Sequence, residues 1–482
     1  MAYATYVVAA DKGLAQLRRQ LLDVLATKAK ADGSPIDTTE PLVPVSGVRA
    51  IVPSAIVETL VATQPGTPVP QILAGLQANL TEARVIGPDE IADLLATREP
   101  LDFRWKRTPP YPGHLVQNDY DWHLVASTLP EAWAAVGGVD RIATWHDIVI
   151  GHIDTGFTEH PALGWRPGGT PCVDLLRDRD FFDKDFESEM NMADRDPASA
   201  ADRMLGFNCG HGTSTAGVLA GFDPSATATM PGAPPAGHGY LGAAPRIRIV
   251  PVRISDCVLI NDATDALGRA IEHLLTIPEC RVITVSMGAT LLRYLPPETF
   301  AAIDAAYERG VIVCCAAGNL VRDVVVPAAT SRTIAVAGST IGLTETGQVA
   351  DLPWSESARG PYVDIAAPAW PIRRPSVDAT LFGTLKFGYG YGDGTSYATP
   401  QVAATAALWL KKHGATLAAR YPAPWQRVAA FTKLVRATAR PWHPSLTAYG
   451  YGPGLLDAAA VVTAPLPDVS DDDKQPPAAP LD

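Results

Sequence analysis

No stretch of the 482 residues approaches eighteen consecutive apolar positions, so nothing in the sequence reads as a membrane-spanning helix. Positive charge is in deficit. Lysine and arginine total 39 against 51 acidic residues, a net charge of −12, which sets a nucleic-acid polyanion aside as the main partner. Neither C-x-x-C nor H-E-x-x-H occurs, so no zinc site is supported. The opening Met1-Ala2-Tyr3-Ala4-Thr5-Tyr6 lacks the basic segment and apolar run of an export signal, and the expected location is cytoplasmic. Cysteines number six; with Cys314 and Cys315 adjacent in an apolar run and no export signal, free thiols are expected. What is present is core material: 47% hydrophobic residues and only 19% charged, enough to bury a full interior rather than stay disordered.

Four segments follow from composition and periodicity. Residues 1–97 alternate strand candidates (Thr5 to Ala9, Val48 to Val52) with helical patterns, among them Leu14, Leu17, Leu21 and Leu25, then Gln71 to Leu80 and Asp89 to Thr97. This reads as a small α/β domain. Residues 98–118, with Pro109-Pro110-Tyr111-Pro112-Gly113, read as a linker. From 119 to 465, short continuous apolar runs recur: Ile148 to Ile150, Ile247 to Val252, Val282 to Val285, Val311 to Cys315, Thr333 to Ala337 and Val363 to Ala366. Continuous runs are what strands covered on both faces look like. Helical patterns between them predict an α/β fold with a mostly parallel central sheet flanked by helices, whose sites lie at the carboxyl ends of strands. The acidic, proline-rich tail, 466–482, is expected to be disordered. No internal repeat is apparent.

Polar residues gather at the ends of these elements. Ile148-Val149-Ile150-Gly151-His152-Ile153-Asp154-Thr155-Gly156 runs a buried strand into an aspartate and a turn. His211 heads a small-residue stretch, Gly212-Thr213-Ser214-Thr215-Ala216-Gly217, suited to a helix in close contact with a sheet. Gly392-Asp393-Gly394-Thr395-Ser396 opens an Ala-rich helix, leaving Ser396 at a helix mouth with outward-facing N–H groups. Taken singly, Asp154-Thr155-Gly156 reads as a turn, His211 as a structural histidine, and Ser396 or Thr395 as an N-cap. Ala316-Ala317-Gly318-Asn319 ends another strand in an amide able to donate to an oxyanion, although Gly-Asn is also a common turn. Together they supply a nucleophile, a base, a carboxylate that fixes the base, and oxyanion donors.

In these segments the chain resembles the subtilisin-like serine peptidases, the subtilases. The resemblance rests on Asp154-Thr155-Gly156 with His160-Pro161, on His211-Gly212-Thr213, on Gly394-Thr395-Ser396 with Ala398 and Pro400, and on Ala316 to Asn319. Gly242-Ala243-Ala244-Pro245, Ser286-Met287-Gly288 and Gly450-Tyr451-Gly452-Pro453-Gly454 add to it, and together they cover about 119 to 463. The order Asp, His, Ser is that of subtilisin. The resemblance implies a subtilisin-like fold and a serine endopeptidase that cuts peptide or protein substrates through an acyl-enzyme. Asp154 would orient His211, His211 would act as general base, Ser396 as nucleophile, and Asn319 would complete the oxyanion hole. Ser286, Met287 and Gly288 would pair with the substrate backbone as an added strand. The chemistry requires no cofactor. Many subtilases bind calcium, but no calcium-loop motif is recognisable here.

Two features depart from the family's pattern. Ser214 stands where many subtilases carry a second histidine, a change expected to alter packing only. Between Asp174 and Asp196 lie nine acidic and four basic residues, read as a solvated acidic loop that would favour basic substrates if it borders the cleft. The amino-terminal domain fits a propeptide that packs on the catalytic domain, or a permanent accessory domain. Gly383 to Gly392 reads as a wall or lid of the site or as an irregular surface loop. An α/β-hydrolase esterase would need Gly at position 398, which is Ala. A sedolisin-type acid peptidase would use no catalytic His. The non-enzymatic alternative is a catalytically silent subtilase-fold binding protein, which would be expected to have lost one of Asp154, His211, Ser396 or Asn319.

Overall fold

The computed structural model describes residues 2–9, 49–52, 56–62, 83–86, 122–182, 210–222, 230, 241–260, 263–289, 295–343, 349–379, 385–442 and 450–479. The chain divides into two compact units, one of Met1–Trp105 with Thr290–Leu292 and the other of Lys106–Ala289 with Arg293–Asp482.

The first unit holds a four-stranded antiparallel sheet. Its strands are β1 (Ala2–Ala9), β2 (Arg49–Val52), β3 (Ile56–Ala62) and β4 (Ala83–Ile86), in the order β2-β3-β1-β4. The strands expected at Thr5 to Ala9 and Val48 to Val52 are β1 and β2. The other two escape a search for apolar runs: Glu58 interrupts β3, and β4 holds only Val85 and Ile86 as bulky apolar residues, whereas the run of β2 begins already at Val48. The helices expected in residues 14–97 and the 98–118 linker lie outside the described residues.

The second unit is built on a mostly parallel sheet. Its strands are β5 (Val149–Asp154), β6 (Arg179–Asp180), β7 (Ile249–Arg253), β8 (Cys280–Val285), β9 (Ile312–Ala316), β10 (Ile334–Leu343), β11 (Val349–Pro353), β12 (Ile365–Trp370), β15 (Arg440–Pro441) and β16 (Gly454–Leu455). Their order is β15-β16-β12-β10-β9-β8-β5-β7-β6, with β11 antiparallel on β10. A separate hairpin pairs β13 (Ile372–Ala379) with β14 (Leu385–Gly392). The stretch from 385 to 392 is therefore a regular strand rather than an irregular loop. The described helices are α1 (Trp122–Ala126), α2 (Leu129–Ala135), α3 (Val139–Ile142), α4 (His211–Ala220), α5 (Thr264–Leu275), α6 (Pro297–Glu308), α7 (Thr395–Arg420), α8 (Trp425–Ala437) and α9 (Ala458–Thr463). Among the described residues no helix is long and apolar enough to cross a membrane.

Side chains of successive strand residues point to opposite faces, and here each face has its own core. Ile150, Val282, Ile312 and Val336 pack with α4, α7 and α8 on one side. Val149, Ile153, Ile283, Val285, Val313 and Ala335 pack with α5 and α6 on the other. Double coverage is why the strands read as unbroken apolar runs. Cys314 and Cys315 fall on opposite faces as buried thiols. The chain order reverses around β5, which has β7 on one side and β8 on the other. A crevice opens at such a reversal, beyond the carboxyl ends of the strands. Asp154 is the last residue of β5, and Ser286 follows β8.

The tail departs from the expectation of disorder. Its backbone carbonyls at Gln475 and Pro476 accept from Arg332, which also pairs with Asp304 and Glu308. Lys474 pairs with Glu308 and lies 5.4 Å over the Trp425 ring. Composition predicted a free tail because it registers few apolar residues. It does not register a basic side chain, 6% exposed, placed to collect carbonyls from a proline-rich segment.

Candidate active site

Asp154 is fully buried and receives hydrogen bonds at both carboxylate oxygens. Oδ1 accepts from the Thr155 N–H at 2.8 Å and lies 2.6 Å from His211 Nδ1. Oδ2 lies 3.0 Å from Thr215 Oγ1. Burial pushes this carboxyl upward, but the His211 ring and its hydrogen bond, then His152 and the Thr155 N–H, outweigh it and hold the group below the ordinary carboxylate range. An ionised Asp154 fixes the proton of His211 on Nδ1, which leaves Nε2 to accept one.

His211 is the first residue of α4, and its side chain is 10% exposed. The helix reaches the Asp154 turn because it is made of small residues. A Cβ on Gly212 would stand 2.0 Å from the Gly156 carbonyl oxygen, and one on Gly217 would stand 2.2 Å from Pro375. The Gly212 N–H donates to Thr155 Oγ1 at 3.0 Å, tying the helix start to the aspartate turn. Ser214 Oγ lies within hydrogen-bond distance of the Gly210 and Pro375 carbonyls. Its hydroxyl therefore joins α4 to β13.

Ser396 lies in the first turn of α7, and Gly394 before it has φ 138°, a conformation side chains resist. Asn319 follows β9 and caps this turn. The Thr395 N–H and Oγ1–H both donate to its Oδ1 at 2.8 Å. A backbone N–H can only donate, so the amide is oriented with Nδ2 as its free donor. Pro400 has no N–H, which releases the Ser396 carbonyl four residues earlier from helical bonding. Ser286 Oγ donates to that carbonyl at 2.9 Å, and Ser396 Oγ donates in return to the Ser286 carbonyl at 3.1 Å.

The structure thus joins Asp154 to His211 directly and joins Ser396 to Ser286. Among the described residues the Ser396 hydroxyl bonds the Ser286 carbonyl and not the imidazole. The His211 ring lies 6.2 Å from that of Tyr397, the residue after Ser396. Gly288 already pairs with the neighbouring segment. Its N–H donates to the Val258 carbonyl at 3.0 Å, and its carbonyl accepts from Ile260 at 3.2 Å. Met287 is buried.

The profile of the subtilase family matches residues 146–452. The chain belongs to the subtilase family. It is 26% identical over 362 residues to the extracellular basic protease of Dichelobacter nodosus, covering 70% of this chain and 54% of that one. Against subtilisin E of Bacillus subtilis it is 30% identical over 219 residues, covering 42% and 46%. The aligned parts thus span about half the length of these relatives. Mycosin-1 of Mycobacterium tuberculosis is 28% identical over 383 residues, covering 70% of this chain and 73% of that one. Fervidolysin from Fervidobacterium pennivorans, a keratinolytic enzyme related to subtilisin, aligns at TM-score 0.48 and 21% identity, over 97% of this chain and 62% of that one.

Two sequence expectations for this subtilase need revision. The first part of the acidic segment is not a solvated face. Asp180 pairs with Arg253 at 2.8 Å, both buried, and Asp174 pairs with Arg177 at 2.7 Å. Asp178 is 4% exposed. Residues 183–196 lie outside the described residues. Among the described residues no three His, Cys, Asp or Glu side chains converge as a metal site. Ser214 does more than fill space, since its hydroxyl bonds across to β13. Sequence reasoning also passed over His152 and Thr215, although periodicity marks both. His152 is two residues before Asp154 on a strand and shares its face. Thr215 is four residues after His211 on a helix and shares its side.

Proposed function

We propose that the larger unit is a serine endopeptidase with Asp154, His211 and Ser396 as its triad. The observation that carries this reading is the 2.6 Å hydrogen bond between Asp154 Oδ1 and His211 Nδ1, set beside a serine at the mouth of a helix. His211 Nε2 takes the Ser396 proton as Oγ attacks the scissile carbonyl, and later returns it to the leaving amine. The attack requires Ser396 Oγ to turn away from the Ser286 carbonyl. The developing oxyanion is met by Asn319 Nδ2–H and the Ser396 N–H, which lies among the first-turn donors without a helical acceptor. An extended peptide lies along Ser286, Met287 and Gly288. Because Gly288 is already paired with 258–260, the peptide has to part that bridge or to bond through Ser286 and Met287. All participating groups belong to the chain, so the reaction needs no cofactor.

A fluorophosphonate probe tests the reading directly. The wild-type chain is expected to be labelled and Ser396→Ala to remain unlabelled. Loss of Ser396 or His211 is expected to lower kcat by about 10⁶, the magnitude known for subtilisin itself. A folded wild-type protein that resists the probe would leave the silent, binding-only scaffold as the better account. The same variant tests the role of the amino-terminal unit. A new terminus near residues 98–120, found by mass measurement and absent in Ser396→Ala, identifies self-processing; its absence from both identifies a permanent accessory domain.

A further inference from the structure

Asp154 has a second histidine at its back. His152 is 1% exposed, and its Nε2 lies 2.9 Å from Thr215 Oγ1 and 4.0 Å from Asp154 Oδ2. Thr215 Oγ1 stands 3.0 Å from Asp154 Oδ2 and 3.2 Å from the carbonyls of His211 and Gly212. A hydroxyl has one proton to give; the carboxylate is the charged acceptor and stands nearer than either carbonyl, so it takes that proton in preference to a neutral imidazole nitrogen. With that proton directed at Oδ2, the hydroxyl oxygen must accept from His152, which fixes His152 as the Nε2–H tautomer. His152 Nδ1 has no hydrogen-bond partner, which a neutral ring tolerates as a bare lone pair. A charged ring would place an N–H there with no acceptor.

We propose that His152 and Thr215 form a positioning pair that holds the Asp154 carboxylate from behind, so that its other oxygen stays in line with His211. This inference rests on the triad reading above. Thr155 N–H holds Oδ1 and Thr215 holds Oδ2, and together they stop the carboxylate from turning about its Cβ–Cγ bond. His152 in turn holds the Thr215 hydroxyl toward Asp154 and away from the two competing carbonyls. The arrangement works only while His152 is neutral. Burial drives its pKa down, against the pull of the Asp154 carboxylate, and the charge of His211 adds to the lowering. The residues level with it on β7 and β8, Pro251 and Thr284, carry no charge.

The test compares Thr215→Val, which removes the hydroxyl at nearly constant shape, with His152→Leu and His152→Gln. The probe-labelling rate and kcat are expected to fall about tenfold in Thr215→Val and His152→Leu, with KM within about twofold. The double variant should fall little further than either single one, because both act through the same hydrogen bond. His152→Gln, whose amide N–H can replace Nε2–H, should recover most of the rate. The acid limb of the kcat profile should move to higher pH in Thr215→Val, since a carboxylate with one donor fewer holds an imidazolium more tightly. A role in packing alone would leave that limb where it is. Wild-type labelling rates with an unmoved limb in both Thr215→Val and His152→Leu overturn the inference and leave the triad intact. Failure of the wild-type chain to label overturns the triad reading instead. Should either variant lose its cooperative melt, Thr215→Ser against Thr215→Ala, read on the same limb, decides the question.

Discussion

Replacing Gly212 by alanine should separate the catalytic pair without touching either member. The added Cβ would stand 2.0 Å from the Gly156 oxygen and 3.0 Å from the Gly156 carbon, about 1 Å inside a tolerable contact with the oxygen. Both are backbone atoms of the turn that follows Asp154, so no side chain can swing aside. On its other side α4 is pinned by Gly217 against Pro375. Relief therefore comes from the start of the helix sliding away from the turn, which stretches the 2.6 Å bond between Asp154 and His211. A displacement of about 1 Å in a catalytic group costs on the order of 10²-fold, or about 2.7 kcal/mol of transition-state stabilisation. The assay is the second-order rate of fluorophosphonate labelling together with kcat on a chromogenic peptide, each accompanied by a thermal melt. Gly390→Ala is the control, since its nearest neighbour to an added Cβ is Ser376 Cβ at 3.9 Å; it should label at the wild-type rate. A folded Gly212→Ala that labels as fast as wild type would refute the reasoning.

Three further outcomes can be checked. Asn319→Ala should lower kcat by about 10²–10³, the loss known for the corresponding donor in subtilisin, and a loss confined to KM would count against an oxyanion role. Deleting residues 470–482 strips Arg332 of its carbonyl partners and should lower the melting temperature by several degrees without changing the labelling rate at 25 °C; an unchanged melt would show that the tail contributes no stability. Burial draws the pKa of His123 and of His160 down to about 4, against backbone hydrogen bonds that raise it. A folded-state pKa below the unfolded value near 6.5 means that each ring's stabilisation is complete above about pH 6.5. It is lost as pH falls toward 4, by about 2 kcal/mol per ring at pH 5. At His160 the geometry works in the same direction as burial, because Nδ1 accepts from the Ala162 N–H and cannot also carry a proton. His160→Gln should flatten the decline in urea midpoint between pH 7 and pH 5, and an equally steep decline would exclude His160 as a contributor.

The parallel sheet, the family, and the candidate residues at strand and helix ends were legible in the amino-acid order. Each rests on a local rule. An unbroken apolar run, as from Val282 to Val285, marks a strand buried on both faces, and glycines before Ser396 mark a turn that side chains would obstruct. β3, interrupted by Glu58, and β4, with only Val85 and Ile86 as bulky apolar residues, carry too little periodic signal to be found that way. What the order of residues could not supply was the pairing of distant groups. Only the folded chain brings Arg332 to the carbonyls of the tail, Asp180 to Arg253, and Thr215 with His152 to the far oxygen of Asp154. Hydrogen bonds and ion pairs act over about 3 Å between atoms whose separation along the chain is arbitrary, so local patterns name the participants while packing chooses the partners.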